Sequence, residues 1–199
     1  MRRRSAIGGL ALTLSLATSA AAFEPELRAN ETLEARVDGD LDGDGTADLA
    51  WLAGNDEKRQ LVVHLSNGGY ESLDLDTTPL GPGTLSINKG VLLFEDLTGG
   101  TTAIDSTRRY RFDAKALRMR LIGLDATLYS RTQQHDGFEV SWNLLTGAAV
   151  TRKLHLNTSG KGDEAFDHII EHKTVKRSPP VWLSKTPEPE DVLSQFRGA

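Results

Sequence analysis

The sequence predicts an all-β fold, an antiparallel β-sandwich or irregular barrel that ends in a short helix. Three observations predict it. From Leu33 to Leu156 short apolar or alternating runs follow one another at nearly even spacing, the period-two signature of half-buried strands. Asn67-Gly68-Gly69, Asn88-Lys89-Gly90 and His135-Asp136-Gly137 separate some of these runs with residues that tolerate positive φ, as tight hairpins require. Near the C-terminus Thr186 can cap a helix with Pro187 in its first turn. Glu188, Glu190 and Asp191 then sit near its positive end, and Val192, Leu193 and Phe196 line the side that packs on the sheet.

Taken in order, the chain opens on what reads as an export signal in residues 1–22. Arg2, Arg3 and Arg4 precede an apolar run from Ala6 to Ala17, and small residues place the cut before Phe23. That run is too short to span a bilayer, so the expected location is periplasmic or secreted, with no membrane insertion. Residues 23–199 then form one domain, of which 157–199 are the less regular part. Expected strands are 33–37, 49–53, 60–66, 70–75, 84–87, 91–96, 109–113, 119–124, 126–131, 137–143 and 149–156. Residues 163–172 read as either a short helix or a strand. Around residues 109–121, Phe112, Met119 and Leu121 alternate with Arg111, Arg118 and Arg120, giving one apolar face and one basic face whose arginines are expected to meet carboxylates.

The chain has no cysteine, which excludes disulfides, thiolate metal sites and a lipid anchor on a cysteine. Its net charge is −5, and losing the leader, with its three arginines and no acidic residue, makes it −8. Nucleic acid and anionic membrane are thereby disfavoured as partners.

The segment Asp40-Leu41-Asp42-Gly43-Asp44-Gly45-Thr46-Ala47-Asp48 carries the clearest chemistry. It fits D-x-D-x-D-G-x-x-D, which sets carboxylates at loop positions 1, 3, 5 and 9, a glycine at the sharp turn and the Thr46 carbonyl at position 7. Hard oxygens at this spacing suit Ca²⁺, so the expected ligands are Asp40, Asp42, Asp44, Thr46 and Asp48. Position 12 is Trp51 within an apolar strand, which disfavours an EF-hand. A register starting at Asp38 would lose one carboxylate.

The stretch GDLDGDGTADLA, residues 39–50, resembles the calcium loop of FG-GAP and VCBS-type repeats, where the ion bridges two strands and does no chemistry. The resemblance implies a structural Ca²⁺ here, although these families usually carry arrays and this chain has one copy. Residues 80–151, with KGVLLFEDLTGGTTA, YRFDAKALRMRLIGLD and FEVSWNLLTGAAV, resemble exported bacterial β-domain proteins, some of which are similar to periplasmic immunity proteins that inhibit lysozyme-like peptidoglycan hydrolases. Known inhibitors use S-G-x-x-Y, and Ser66-Asn67-Gly68-Gly69-Tyr70 matches at the serine and the tyrosine only.

These likenesses imply a non-enzymatic binding protein whose partner is a peptidoglycan hydrolase, with an adhesive or structural surface module as the alternative and a wall-active hydrolase behind both. Candidate partner contacts are Ser66, Tyr70, Thr101, Thr102, Tyr129 and His135. No G-x-S-x-G elbow, cysteine nucleophile or phosphate-cradling loop is present. His168 and His172 have helical spacing but lack the glutamate of H-E-x-x-H. The carboxyl pairs Glu95 with Asp96 and Asp125 with Glu139 read as surface acids.

Overall fold

A computed structural model describes residues 23–159 and 165–198. The export signal read in residues 1–22 and the loop at Gly160-Lys161-Gly162 lie outside them. Among the described residues the strands are β1 (Thr32–Gly39), β2 (Asp48–Gly54), β3 (Arg59–His64), β4 (Tyr70–Leu75), β5 (Thr84–Asn88), β6 (Val91–Gly99), β7 (Thr102–Asp113), β8 (Arg118–Ser130), β9 (Gly137–Asn143), β10 (Ala148–Leu156), β11 (Phe166–Val175) and β12 (Val181–Trp182). One helix, α1, runs over Pro189–Arg197.

The strands form two antiparallel sheets, one ordered β1-β2-β3-β4 and the other β11-β10-β9-β8-β7-β6-β5. Strand β12 continues the β9 edge of β8, pairing Val181 with Leu121 and Trp182 with Arg120. Both sheets are meanders, as hairpin turns of this chemistry dictate.

The inner faces meet in one core. Ala50, Leu52, Leu61 and Val63 of the first sheet pack with Leu92, Phe94, Tyr110, Met119 and Leu121 of the second. Helix α1 adds Val192, Leu193 and Phe196, the Phe196 ring lying 5.4 Å from Trp142 edge to face. Every residue of β2 is buried, because its other face is covered too: Leu49, Trp51, Ala53 and Val62 form a second cluster against Phe23. The N-terminal segment is held there by Arg36, which donates to the Phe23 carbonyl and to Glu24.

Arg59 ties the sheets together. Its guanidinium makes two 2.9 Å bonds to Asp96 of β6 and bonds of 2.8 and 2.9 Å to Glu34 of β1. Burial works against its charge, but the bonds it donates to Glu34 and Asp96 outweigh that and keep it protonated.

Several expected boundaries are corrected. Residues 119–124 and 126–131 are one strand, β8, because Asp125 points to the outer face, where it accepts from Arg109 and Ser141. A bulge between Arg109 and Tyr110 leaves Ile122 unpaired with β7 and bends the long ribbon. Strand β7 begins at Thr102, seven residues earlier than expected, since buried Ser106 and Arg108 interrupt the apolar alternation on its inner face. The region 157–199 is more regular than expected: 166–175 form a ten-residue strand paired along β10.

Thr186 does not cap α1. Its hydroxyl donates to the Leu183 carbonyl and accepts from Tyr110, and Glu188 stands at the N-cap with no side-chain bond. The basic face is neutralised in part, with Arg118 on Glu71 at 3.1 Å and Arg120 at 4.0 Å from Asp113.

Candidate metal centre

The aspartate loop joins β1 to β2 at one end of the first sheet. Gly43 and Gly45 both have φ of +84°, so the chain turns twice in the left-handed region where a side chain would be strained. These turns point successive aspartates back into the loop.

Asp40 accepts the amides of Gly43 at 2.7 Å and Gly45 at 3.0 Å, one on each oxygen. Asp42 accepts from the Asp44 amide at 3.1 Å. Asp48, 1 % exposed, accepts from the amides of Leu41 at 2.7 Å and Asp42 at 3.3 Å through Oδ2, and from Ser66 at 2.7 Å through Oδ1. One carboxylate oxygen from each of Asp40, Asp42 and Asp48 lies within 4.8 Å of the others.

That convergence fits a hard cation. Oxygens on opposite sides of a Ca²⁺ at 2.3–2.6 Å are about 5 Å apart, so a set no wider than 4.8 Å can share one coordination sphere. Each carboxylate oxygen has two lone pairs, and the amides leave one open on both oxygens of Asp40, on Asp42 and on Asp48 Oδ1. Without a cation the three charges repel by about 3 kcal/mol per pair at an effective dielectric of 20. Desolvation raises the pKa of Asp42 against the bond from the Asp44 amide, with Asp48, Asp44 and Asp40 adding like-charge repulsion.

One expected ligand side chain is engaged outside this trio. Asp44 is not part of the converging trio: it accepts from the Thr46 amide at 2.6 Å and from the Ser66 hydroxyl at 3.0 Å, and these bonds lower its pKa. Thr46 thus meets Asp44 through its amide. Asp38 is paired with Arg36 through both of its oxygens.

The β3–β4 turn, residues 65–69, forms the wall of the loop. Ser66 reaches Asp48 and Asp44, and the Asn67 side chain donates to Asp42 at 2.7 Å. Ser66 is therefore a strut of the turn. Tyr70, just beyond it, is 53 % exposed and meets Trp51 edge to face at 6.2 Å. Asn67 is the loop contact that sequence reasoning missed, because its partner lies 25 positions away and only its turn propensity was visible.

The other partner candidates lie elsewhere. Thr102 Oγ1 and His135 Nε2 are 2.8 Å apart, Thr101 accepts from the Arg131 amide, and Tyr129 pairs with Ala103. This group sits at the Thr102 end of the β7–β8 ribbon, whereas β4, which follows the turn walling the aspartate loop, adjoins the other end through the Glu71 bonds to Arg118 and Met119. Thirteen residues of β8 separate them, roughly 40 Å at 3.3 Å per residue. The six candidates form two surfaces.

His168 and His172 lie four apart on β11, where strand geometry sets their Cα atoms about 13 Å apart, too far for a shared metal. Asp96, Asp125 and Glu139 are engaged by Arg59, Arg109 and Arg152 respectively. No protein family, curated protein or solved structure matches this chain.

Proposed function

We propose that this protein is an exported, calcium-stabilised β-domain that works by binding another protein, as an immunity-type inhibitor of a peptidoglycan hydrolase, without catalysis of its own. Ca²⁺ would be held by Asp40, Asp42 and Asp48 Oδ1, with backbone carbonyls or water completing its sphere. It supplies charge neutralisation, which keeps the aspartates together. The observation that carries the reading is the attachment of the β3–β4 turn to those same aspartates through Ser66 and Asn67.

Filling the loop would fix the turn, and with it the exposed Tyr70, in one presentation. Nearby, Val63, Leu65, Met119 and Leu117 line a cavity of about 210 Å³, enough for one inserted side chain, and Leu117 itself is 70 % exposed. The net charge of −8 that remains once the leader's three arginines are lost favours encounter with a basic enzyme.

The test is co-purification with lysozyme-like peptidoglycan hydrolases in Ca²⁺ and in chelator. A hydrolase that is retained and inhibited only with Ca²⁺, and released by Tyr70→Ala, supports the reading. Cleavage of bare peptidoglycan by the protein alone, or retention indifferent to both Ca²⁺ and Tyr70, contradicts it.

A further inference from the structure

At the end of the fold opposite the aspartate loop, α1 stops at Arg197, and beyond it the inner face of the second sheet opens into a cavity of about 500 Å³. That volume lies within the range of small-molecule sites. Its apolar floor is Leu128 and Phe138, neighbours across β8 and β9.

What faces this cavity departs from the acidity of the chain. Lys153 is the registered partner of Phe138 across β9 and β10, and the Arg197 guanidinium lies 5.1 Å from the Phe138 ring centroid. Two cations thus flank one aromatic ring, and neither is paired with a carboxylate among the described residues.

The one acidic side chain lining the cavity among the described residues, Asp136, is already engaged. It accepts from the Leu156 amide at 2.9 Å and from His155 at 2.8 Å, and the amide bond first, then His155, holds its carboxyl below the usual range. The C-terminal carbonyls of α1 contribute about half a negative charge, less than either cation supplies. On the rim Thr102 Oγ1 keeps an acceptor lone pair, while both ring nitrogens of His135 are engaged, Nε2 by Thr102 at 2.8 Å and Nδ1 by the Asp136 carbonyl at 2.7 Å.

We propose that this cavity binds a small organic anion of the acidic-sugar class. One carboxylate or phosphate is held between Lys153 and Arg197, the ring lies against Leu128 and Phe138, and a hydroxyl donates to Thr102 Oγ1. The site is independent of the aspartate loop and of any protein partner bound there.

The test is an amide NMR titration of the purified protein with glucuronate, glucose 6-phosphate, inorganic phosphate and neutral glucose. Saturable shifts at Thr102, His135 and Phe138 are expected from glucuronate or glucose 6-phosphate, with glucose at least tenfold weaker. The better of the two identifies a carboxylate or a phosphate as the anion. Lys153→Gln should weaken binding about tenfold and Lys153→Gln with Arg197→Gln should abolish it, with melting temperature recorded for each. The exposed Lys153 keeps the single variant folded even if loss of the Arg197 stack costs stability. No shift from any probe at about 20 mM, equal binding of glucose, equal binding of bare phosphate, or binding that survives both substitutions overturns the proposal.

Discussion

Asp48 Oδ1 accepts the backbone amide of Ser66 at 2.7 Å, joining the aspartate loop to a turn eighteen residues away. Asp48 also gathers the Leu41 and Asp42 amides, so one buried carboxylate holds three segments of chain together. Asp44, by contrast, is exposed and holds only Thr46 and the Ser66 hydroxyl.

These two aspartates should therefore respond differently to substitution. Asp48→Ala leaves three amides without an acceptor and is expected to destabilise the protein by at least about 3 kcal/mol in urea, with or without Ca²⁺. Asp44→Ala is expected to leave the urea midpoint in chelator close to that of the parent. Equal losses from the two variants in chelator would contradict the division of roles.

Arg59 is 2 % exposed between Asp96 and Glu34, which belong to different sheets. Arg59→Met leaves the buried Asp96 without its guanidinium beside the partly buried Glu34, so a loss of about 3 kcal/mol is expected in equilibrium unfolding. Asp96→Asn, which keeps the guanidinium paired with Glu34, should cost less.

Leu117 has φ of +54° and is largely exposed, closing the β7–β8 turn on a bond from its amide to the Asp113 carbonyl. A leucine gains nothing there and carries left-handed strain, so Leu117→Gly should stabilise the protein by about 1 kcal/mol in thermal melts. If Leu117 belongs to the partner surface, the same variant weakens binding while it melts higher. A lower melting temperature would show that the leucine is held by packing.

Burial pushes the Tyr110 phenol up to about 12, against Arg108 and the bond to Thr186, which lower it. Its folded pKa thus lies above the unfolded value near 10, so its stabilising contribution is complete below pH 10 and is lost as pH rises toward 12. Stability should fall by about 3 kcal/mol across that window, and the fall should be smaller in Tyr110→Phe, where only the lesser contribution of Tyr70, also raised by burial, remains. Phenolate absorbance appearing near pH 10 from all three tyrosines of the folded protein would contradict the burial argument.

Much of this architecture was legible in the residues. Period-two alternation and glycine turns located β1 to β6, β9 and β10, and the spacing of aspartates with Gly45 located the acidic loop. The failures share one cause, polar residues doing structural work that periodicity does not reveal. Asp125 on the outer face read as a break in β8, and buried Ser106 and Arg108 hid the first half of β7. Thr186 read as a helix cap because its bond to Tyr110 spans 76 residues. Likewise, nothing local signals that Ser66 and Asn67 serve the aspartate loop, or that Lys153 and Arg197 meet at Phe138.

The most direct test of the aspartate loop is a thermal melt of the purified protein in saturating Ca²⁺ and in chelator. At a hundredfold excess over Kd, the ion should add about 2.7 kcal/mol and raise the melting temperature by roughly 5–10 °C. Asp42→Asn should remove most of that shift while the ion-free protein melts no lower than the parent, because one of three repelling charges is gone. Superimposed melts with and without Ca²⁺ would contradict the account.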